Sequence, residues 1–183
     1  NSAGKISDAQ IEAAYKEATE PFGRSATNEG PYQVQYDLQN MMQANVGIVR
    51  LQNEMEFALD GIQKLKTRAA KVAVQGGQEY NPGWHTSIDL KHLLTVAEAI
   101  ALCSIDRKES RGGHFREEYQ TPEGEALRDD ANYSYAAAWE WQGEGKDQVL
   151  HKEPLNVNEI AEKLSLPQST VATNVAALEK AGL

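Results

Sequence analysis

The stretch from Asn81 to Arg116 constrains the fold most, because it joins a long apolar helix pattern to a short basic segment. Thr86 followed by Asp89 is a capping pattern, which predicts that a helix begins near Thr86. Seven apolar residues then recur at spacings of three and four, which predicts one buried face: Leu90, Leu93, Leu94, Ala97, Ile100, Ala101 and Ile105. Gly112 and Gly113 predict that the helix ends close to them. Such a face needs other helices to cover it.

Two earlier segments supply candidate helices. Ser7 and Gln10 match a capping box and predict a first helix of about 13 residues that Pro21 ends. Pro31 stands where a proline starts a helix comfortably, and a second helix is predicted to end before Gly47. The apolar stripe of this second helix is Val34, Leu38, Met41 and Met42.

A third helix is predicted from about Leu51 to Val74, with the seam spacing of packed helical bundles. Its apolar positions are Met55, Ala58, Ile62, Leu65, Ala69 and Val72. The predicted fold class is therefore mainly α, with an antiparallel three- to four-helix bundle over residues 1–116.

The helical periodicity stops after Arg116, and residues 117–155 are predicted to be turn-rich with a β-hairpin. Tyr133 to Trp141 alternates aromatic residues with small or polar ones, which predicts a strand with an aromatic face. Gln142 to Asp147 supplies a turn, and Gln148 to His151 is predicted to return as a second strand. Trp139 and Trp141 could stack on a ligand, but an aromatic face more commonly covers a bundle or a domain seam. Together with Met41 and Met42, this face could instead form a partner surface.

Charge and cysteine content exclude some classes of function. A net charge of −9 argues against a nucleic-acid surface spread over the whole chain. The single Cys103 cannot form an intrachain disulfide, and its place in the apolar helix favours a buried thiol in a reducing compartment over a nucleophile. We see no signal peptide and no apolar run of about 18 residues, so the chain is not expected to span a membrane itself.

No catalytic, cofactor or metal motif is present in the sequence. Gly76-Gly77 and Gly112-Gly113 lack the spacing of a dinucleotide-binding turn. The four histidines stand without partners at metal-ligand spacing: His85, His92, His114 and His151. We therefore predict no catalytic residues, no cofactor and no metal in this chain.

The basic segment is the main candidate site. Arg111, His114 and Arg116 place two guanidinium groups and an imidazole around two glycines. These groups suit carboxylates, phosphates or the carbonyl end of another element. We predict that the three residues dock a neighbouring domain, and an anion site that faces a substrate is the alternative.

Three stretches carry a resemblance to a known family: PFGRSATNEGPYQVQYDLQNMMQANVGIVR, NPGWHTSIDLKHLL and ESRGGHFREEY. Together they resemble the C-terminal region of the flavoprotein subunit of succinate dehydrogenase and fumarate reductase, over about Ile6 to Leu155. Gln120 departs from the proline that the family usually has there.

The resemblance implies a part of an oxidoreductase of the respiratory chain and the tricarboxylic acid cycle. It implies FAD in the full-length subunit and transfer of electrons to an iron-sulfur subunit at the cytoplasmic face of a membrane. The family's flavin-attaching, proton-donating and dicarboxylate-binding residues lie upstream of the matched region. The expected role is therefore a non-catalytic helical domain that braces the flavin domain.

The tail, residues 156–183, changes character and is predicted to be a two-helix appendage. It is similar to the helix-turn-helix of winged-helix transcription regulators. By that resemblance five residues would contact DNA: Gln168, Ser169, Thr170, Thr173 and Asn174. Lys152 to Leu183 holds three Lys and four Glu, a net charge of −1, so the phosphate attraction is weak. A DNA-binding regulator is the alternative function.

Overall fold

The computed structural model describes residues 4–25, 28–143, 145–146 and 148–154. It is mainly helical with a small strand pair, which confirms the predicted fold class; the predicted helix pair of the tail lies outside the described residues. The elements in chain order are α1 (Asp8–Thr19), a 3-10 helix (Glu20–Gly23), α2 (Pro31–Asn45), β1 (Val49–Arg50), α3 (Gln52–Ala69), α4 (Pro82–Asp106), β2 (Phe115–Arg116), α5 (Asp130–Tyr133), β3 (Tyr135–Glu140) and β4 (Val149–Pro154).

The chain divides into two compact units, a first unit that ends at Asp106 and a second unit that begins at Arg107. This division lies ten residues before the boundary expected at residue 116. The long helix ends at Asp106, so the basic segment and its two glycines belong to the second unit.

Helices α2, α3 and α4 pack against one another and form the core of the first unit. The buried core cluster contains most residues of the predicted stripes and one further residue after α2, Val46; its members are Val34, Leu38, Val46, Met55, Ala58, Ile62, Leu65, Val72, Leu90, Leu94, Ala97 and Ala101. Met41 and Met42 are partly buried against this cluster. Helix α1 has the predicted capping box between Ser7 and Gln10 but buries no residue.

The predicted start of α4 at Thr86 is wrong, because the helix begins at Pro82. The capping side chain is that of Asn81, whose Oδ1 accepts a hydrogen bond from the Trp84 N–H at 3.1 Å. Pro82 follows at the first helical position, where its fixed φ suits the helix and its missing N–H costs nothing. Thr86 lies inside the helix, and its hydroxyl donates to the Pro82 carbonyl at 3.0 Å.

The apolar face predicted for α4 is only partly buried. Leu93 and Ile100 are 38% and 43% exposed, although we expected both in the core. They lie beside the buried positions on the helix, at the edge that α2 and α3 do not cover. The apolar arc of α4 is thus wider than the bundle can bury.

Helix α3 ends at Ala69 and not near Val74 as predicted. Residues 72–74 are buried but turn to other backbone partners, since the N–H of Ala73 donates to the Glu29 carbonyl and the N–H of Val74 to the Pro21 carbonyl. The helix pattern continued because Val72 is apolar and buried, which periodicity alone cannot distinguish from a helical position.

The second unit contains the predicted hairpin. Strands β3 and β4 are antiparallel, with Ala137 opposite Lys152 and Trp139 opposite Leu150. Tyr133 belongs to α5 and not to the strand. Within β3, only Tyr135 and Trp139 are half-buried, so the aromatic face is narrower than the alternation predicted.

Candidate functional site

The basic segment is built around a buried carboxylate, that of Glu109, whose side chain is 0% exposed. Arg111 approaches it with two nitrogens, Nε 2.8 Å from Oε1 and Nη2 3.0 Å from Oε2. Arg107 Nη1 also donates to Oε1, and the Asp129 N–H donates to Oε2 at 2.8 Å. Both oxygens therefore accept hydrogen bonds from charged or backbone donors, as burial of a carboxylate requires.

The pKa of Glu109 lies below its ordinary value. Burial alone would raise this pKa, because it penalises the charged form. The hydrogen bonds from Arg111, the Asp129 backbone and Arg107 stabilise the charged form and outweigh burial. Glu109 is therefore a carboxylate held ionised by its partners.

Arg111 links Glu109 to a second carboxylate. Its Nη2 lies 2.5 Å from Asp130 Oδ1, and Arg128 Nη2 lies 3.0 Å from the same oxygen. Hydrogen bonds from Arg111 and Arg128 lower the pKa of Asp130, while those to Glu109 and Asp130 raise the pKa of Arg111. Three arginines and two carboxylates thus form one connected network in the second unit.

Arg116 is 1% exposed, and both its side chain and its backbone make hydrogen bonds. Its Nε donates to Glu118 Oε2 at 3.1 Å, and its guanidinium lies 5.4 Å from the centre of the Tyr119 ring. The buried Ser110 hydroxyl accepts from the Arg116 N–H at 2.8 Å and donates to the Arg116 carbonyl at 3.0 Å. The Arg116 side chain therefore belongs to the interior of the second unit.

His114 closes a tight turn with Arg111. The N–H of Arg111 donates to the His114 carbonyl at 2.8 Å, and the N–H of His114 donates back at 3.0 Å. Gly112 lies between them with φ +56°, a value that favours glycine. His114 Nε2 lies 2.9 Å from the Arg107 carbonyl, so this nitrogen carries the proton.

The structure brings the three residues predicted for docking into one corner of the second unit, and each has partners inside that unit. Sequence reasoning missed Glu109 and Arg107. Arg107 donates to Glu109 and packs over the rings of Tyr133 and Tyr135, at 5.5 and 5.4 Å. The signal available in the sequence was that Glu109 is an acidic residue with basic residues on both sides.

The other features considered in the sequence are metal ligands, membrane spans, the cysteine and the DNA contacts. In the ranges that the structure describes, no group of three or more His, Cys, Asp or Glu side chains could hold a metal ion. Each helix within those ranges is too short or too polar to span a lipid bilayer. Cys103 is half-buried, and burial raises the pKa of its thiol. The five residues expected to contact DNA lie outside the described residues.

A mainly helical chain with a small strand pair is consistent with the helical C-terminal domain of a flavoprotein. The model of the family described as fumarate reductase flavoprotein C-term matches residues 35–171. The chain belongs to this family, and it is a flavoprotein C-terminal domain of the succinate dehydrogenase and fumarate reductase type.

Individual relatives agree with the family match. The fumarate reductase flavoprotein subunit of Haemophilus influenzae is 30% identical over 135 residues, which cover 72% of this chain and 22% of the relative. The fumarate reductase flavoprotein subunit of Helicobacter pylori strain J99 is 27% identical over 158 residues, which cover 84% of this chain and 21% of the relative. The chain thus spans about a fifth of the length of these curated relatives.

A solved structure shows the same fold. Mycobacterium smegmatis Sdh1 in complex with UQ1 superposes with a TM-score of 0.72 at 35% identity, over 83% of this chain and 25% of that chain. The family match also runs to residue 171, into the stretch compared with a helix-turn-helix. The comparisons give no support to the DNA-binding alternative.

Proposed function

We propose that this chain is the non-catalytic helical domain that braces the flavin domain of a flavoprotein subunit for succinate and fumarate oxidoreduction. Family membership supports the class of protein, and the relatives are about five times as long as the matched segment. The remainder of those relatives leaves ample chain for a flavin domain. This domain would act by packing, not by contact with the substrate.

The observation that best supports this proposal is the exposed apolar edge of α4. Leu93, Val96 and Ile100 follow one another at spacings of three and four, and Val96 is 57% exposed. A helix that is apolar beyond the face its bundle covers is typical of a helix that another protein surface covers. The flavin domain of the same subunit is the occupant we propose for this edge.

The corner formed by Arg111, His114 and Arg116 is the second docking element of the proposal. Its side chains are fixed by internal partners, while Gly112 and Gly113 at the tip of the turn are exposed. A rigid turn with exposed backbone can contact a neighbouring domain without ordering flexible side chains on binding. We propose that the arginines and the imidazole hold this turn in shape for docking.

FAD would be held by the flavin domain, which would pass electrons to an iron-sulfur subunit. Within the described residues neither glycine pair follows a strand and opens a helix, because Gly76-Gly77 precedes α4 by several residues and Gly112-Gly113 lies in the turn before β2. A pyrophosphate cradle of the dinucleotide-binding type needs that strand-turn-helix context. We therefore assign no part of the FAD site to these residues.

A graft into a relative tests the proposal. The matched segment of the Haemophilus influenzae flavoprotein subunit is replaced by this chain, and retained FAD is measured by flavin absorbance after gel filtration. We expect the graft to keep FAD and fumarate reduction, and the same subunit truncated before the segment to lose both. A graft that holds no more FAD than the truncated subunit would contradict the proposal.

Val96→Asp tests the proposed edge within the graft. A charge at the centre of a buried interface is costly, so we expect this variant to release FAD and lose activity. Gln39→Asp, on the exposed side of α2, is the matched control and should change neither. Equal FAD retention in the two variants would rule out the α4 edge as the docking surface.

A further inference from the structure

A groove of about 470 Å³ opens on the surface of the second unit, beside the docking corner. Its volume lies in the range of small-molecule sites, roughly 300–1,000 Å³. It lies beside α5 and β4 and is lined by Lys108, Tyr119, Asp129, Asn132, Tyr133 and Lys152.

The charges in this groove are not balanced. All arginines in the described part of the second unit pair with carboxylates, whereas Lys108 and Lys152 make no ion pair with any described residue. Asp129 is the one acid in the lining, and its two oxygens accept hydrogen bonds from the backbone and side chain of Asn132, at 3.1 and 2.9 Å. Two lysines against one engaged aspartate leave a positive groove on a chain of net charge −9.

The groove also has ordered aromatic walls. The Arg116 guanidinium lies 5.4 Å from the centre of the Tyr119 ring, and that of Arg107 lies 5.5 Å from the Tyr133 ring. Both arginines are fixed by carboxylates, so the rings pack on rigid partners. Fixed aromatic rings favour a ligand with a planar or apolar body.

We infer that this groove binds an organic oxyanion, a carboxylate or phosphate paired with Lys108 and Lys152 and carried on a body that packs against Tyr119 and Tyr133. A free small molecule and the acidic side chains of a partner protein offer the same chemistry. The inference uses only residues of the second unit and does not depend on docking to a flavin domain.

NMR titration of the isotope-labelled 183-residue chain tests the inference, with sodium chloride added to hold ionic strength constant. The probes are trimesate, a planar aromatic tricarboxylate, and a glutamate-rich peptide. We expect saturable shifts at the amides of Lys108, Asn132 and Lys152. Saturation by trimesate identifies a free small anion as the ligand type, and saturation by the peptide alone identifies partner carboxylates.

A pair of charge-removing variants decides whether the lysines are responsible. Lys108→Gln/Lys152→Gln should weaken binding about tenfold, because two exposed ion pairs are lost. Lys16→Gln/Lys64→Gln, at exposed lysines of α1 and α3, is the matched control and should bind as the parent chain does. Shifts that stay linear with both probes, or equal affinities in the two double variants, would overturn the inference.

Discussion

Glu109 shows how a single residue organises the second unit. Its buried carboxylate accepts from Arg107, Arg111 and the Asp129 backbone, and so ties the segment after α4 to the start of α5. A buried ion pair gives little net stability compared with an apolar pair, but loss of one partner leaves the other charges without compensation. Substitution of Glu109 is therefore expected to lower the stability of the second unit more than substitution of an exposed carboxylate would.

Glu109→Gln is expected to destabilise the second unit by about 3 kcal/mol, because the amide cannot neutralise Arg107 and Arg111. The indole NMR signals of Trp139 and Trp141 in a urea titration report on this unit. Glu123→Gln, at an exposed carboxylate of the same unit, serves as the comparison and should cost clearly less. Equal losses in the two variants would show that burial of Glu109 is unimportant.

The stability of the second unit should also depend on pH in acid. The folded pKa of Glu109 lies below its ordinary 4.5, and that of Asp130 below its ordinary 3.8. A lowered carboxylate pKa stabilises the fold above the ordinary value, and this stability is lost as pH falls through the folded pKa. We expect unfolding free energy to fall below about pH 4.5, with a smaller slope in Glu109→Gln. Parallel slopes would contradict this assignment.

At the scale of elements, periodicity predicted α2 and α3 and the core stripes well, because their buried residues recur at helical spacing. Sequence reasoning placed the start of α4 wrongly, where two possible capping sequences lie close together. Thr86 and Asp89 offered a capping pattern, yet Asn81 and Pro82 form the real start, and local sequence cannot rank two adjacent caps. The exposed edge of α4 was also hidden, since periodicity shows an apolar arc but not how much of it the neighbouring helices cover.

Alanine at Asn81 should distinguish the two caps. Asn81 Oδ1 accepts from the Trp84 N–H, and its Nδ2 donates to the carbonyls of Gln75 and Gly77 at 2.9 and 2.8 Å. Asn81→Ala is expected to cost about 1 kcal/mol or more, and Thr86→Ala less than about 0.5 kcal/mol. Thermal melts followed by far-UV circular dichroism measure both, and a larger loss in Thr86→Ala would restore the original assignment.

Gly61 of α3 lies close to the Met41 side chain of α2. A β-carbon built on Gly61 would overlap Met41 Sδ, so alanine there forces this partly buried methionine to move. Overpacking should exceed the gain in helix propensity and leave Gly61→Ala less stable by about 1 kcal/mol. Urea unfolding of Gly61→Ala, Met41→Ala and the double variant tests this, because relief of the clash makes the double variant more stable than the sum of the two losses. Strict additivity would exclude the contact.

At the scale of the whole molecule, the sequence indicated the class of protein and the place of the corner, but not its internal partners. Arg111, His114 and Arg116 were expected to reach outward because they are basic and flank glycines. The structure turns their polar groups to Glu109, the Arg107 carbonyl and Glu118. Such pairings join residues up to 20 positions apart, as with the Asp129 N–H and Glu109, and no short pattern encodes them.

The isolated chain is expected to neither bind FAD nor reduce fumarate. Its matched relatives are about five times longer than the segment they share with it, and we place the flavin site in the remainder. Absorbance of the purified chain after incubation with FAD, and turnover with a reduced dye, measure the two properties. The intact Haemophilus influenzae subunit is the positive control, and stoichiometric flavin on the chain alone would refute the expectation.

Helix α1 is attached to the bundle by few contacts. It buries no residue, and the bonds to α4 seen among the described residues include Trp84 Nε1 to the Ala18 carbonyl at 2.6 Å and Lys91 Nζ to Glu17 Oε1 at 3.1 Å. A helix of 12 residues is marginal by itself in water. Its amides should therefore exchange with deuterium far sooner than those of α3, and a protease should cleave within α1 sooner than within α3.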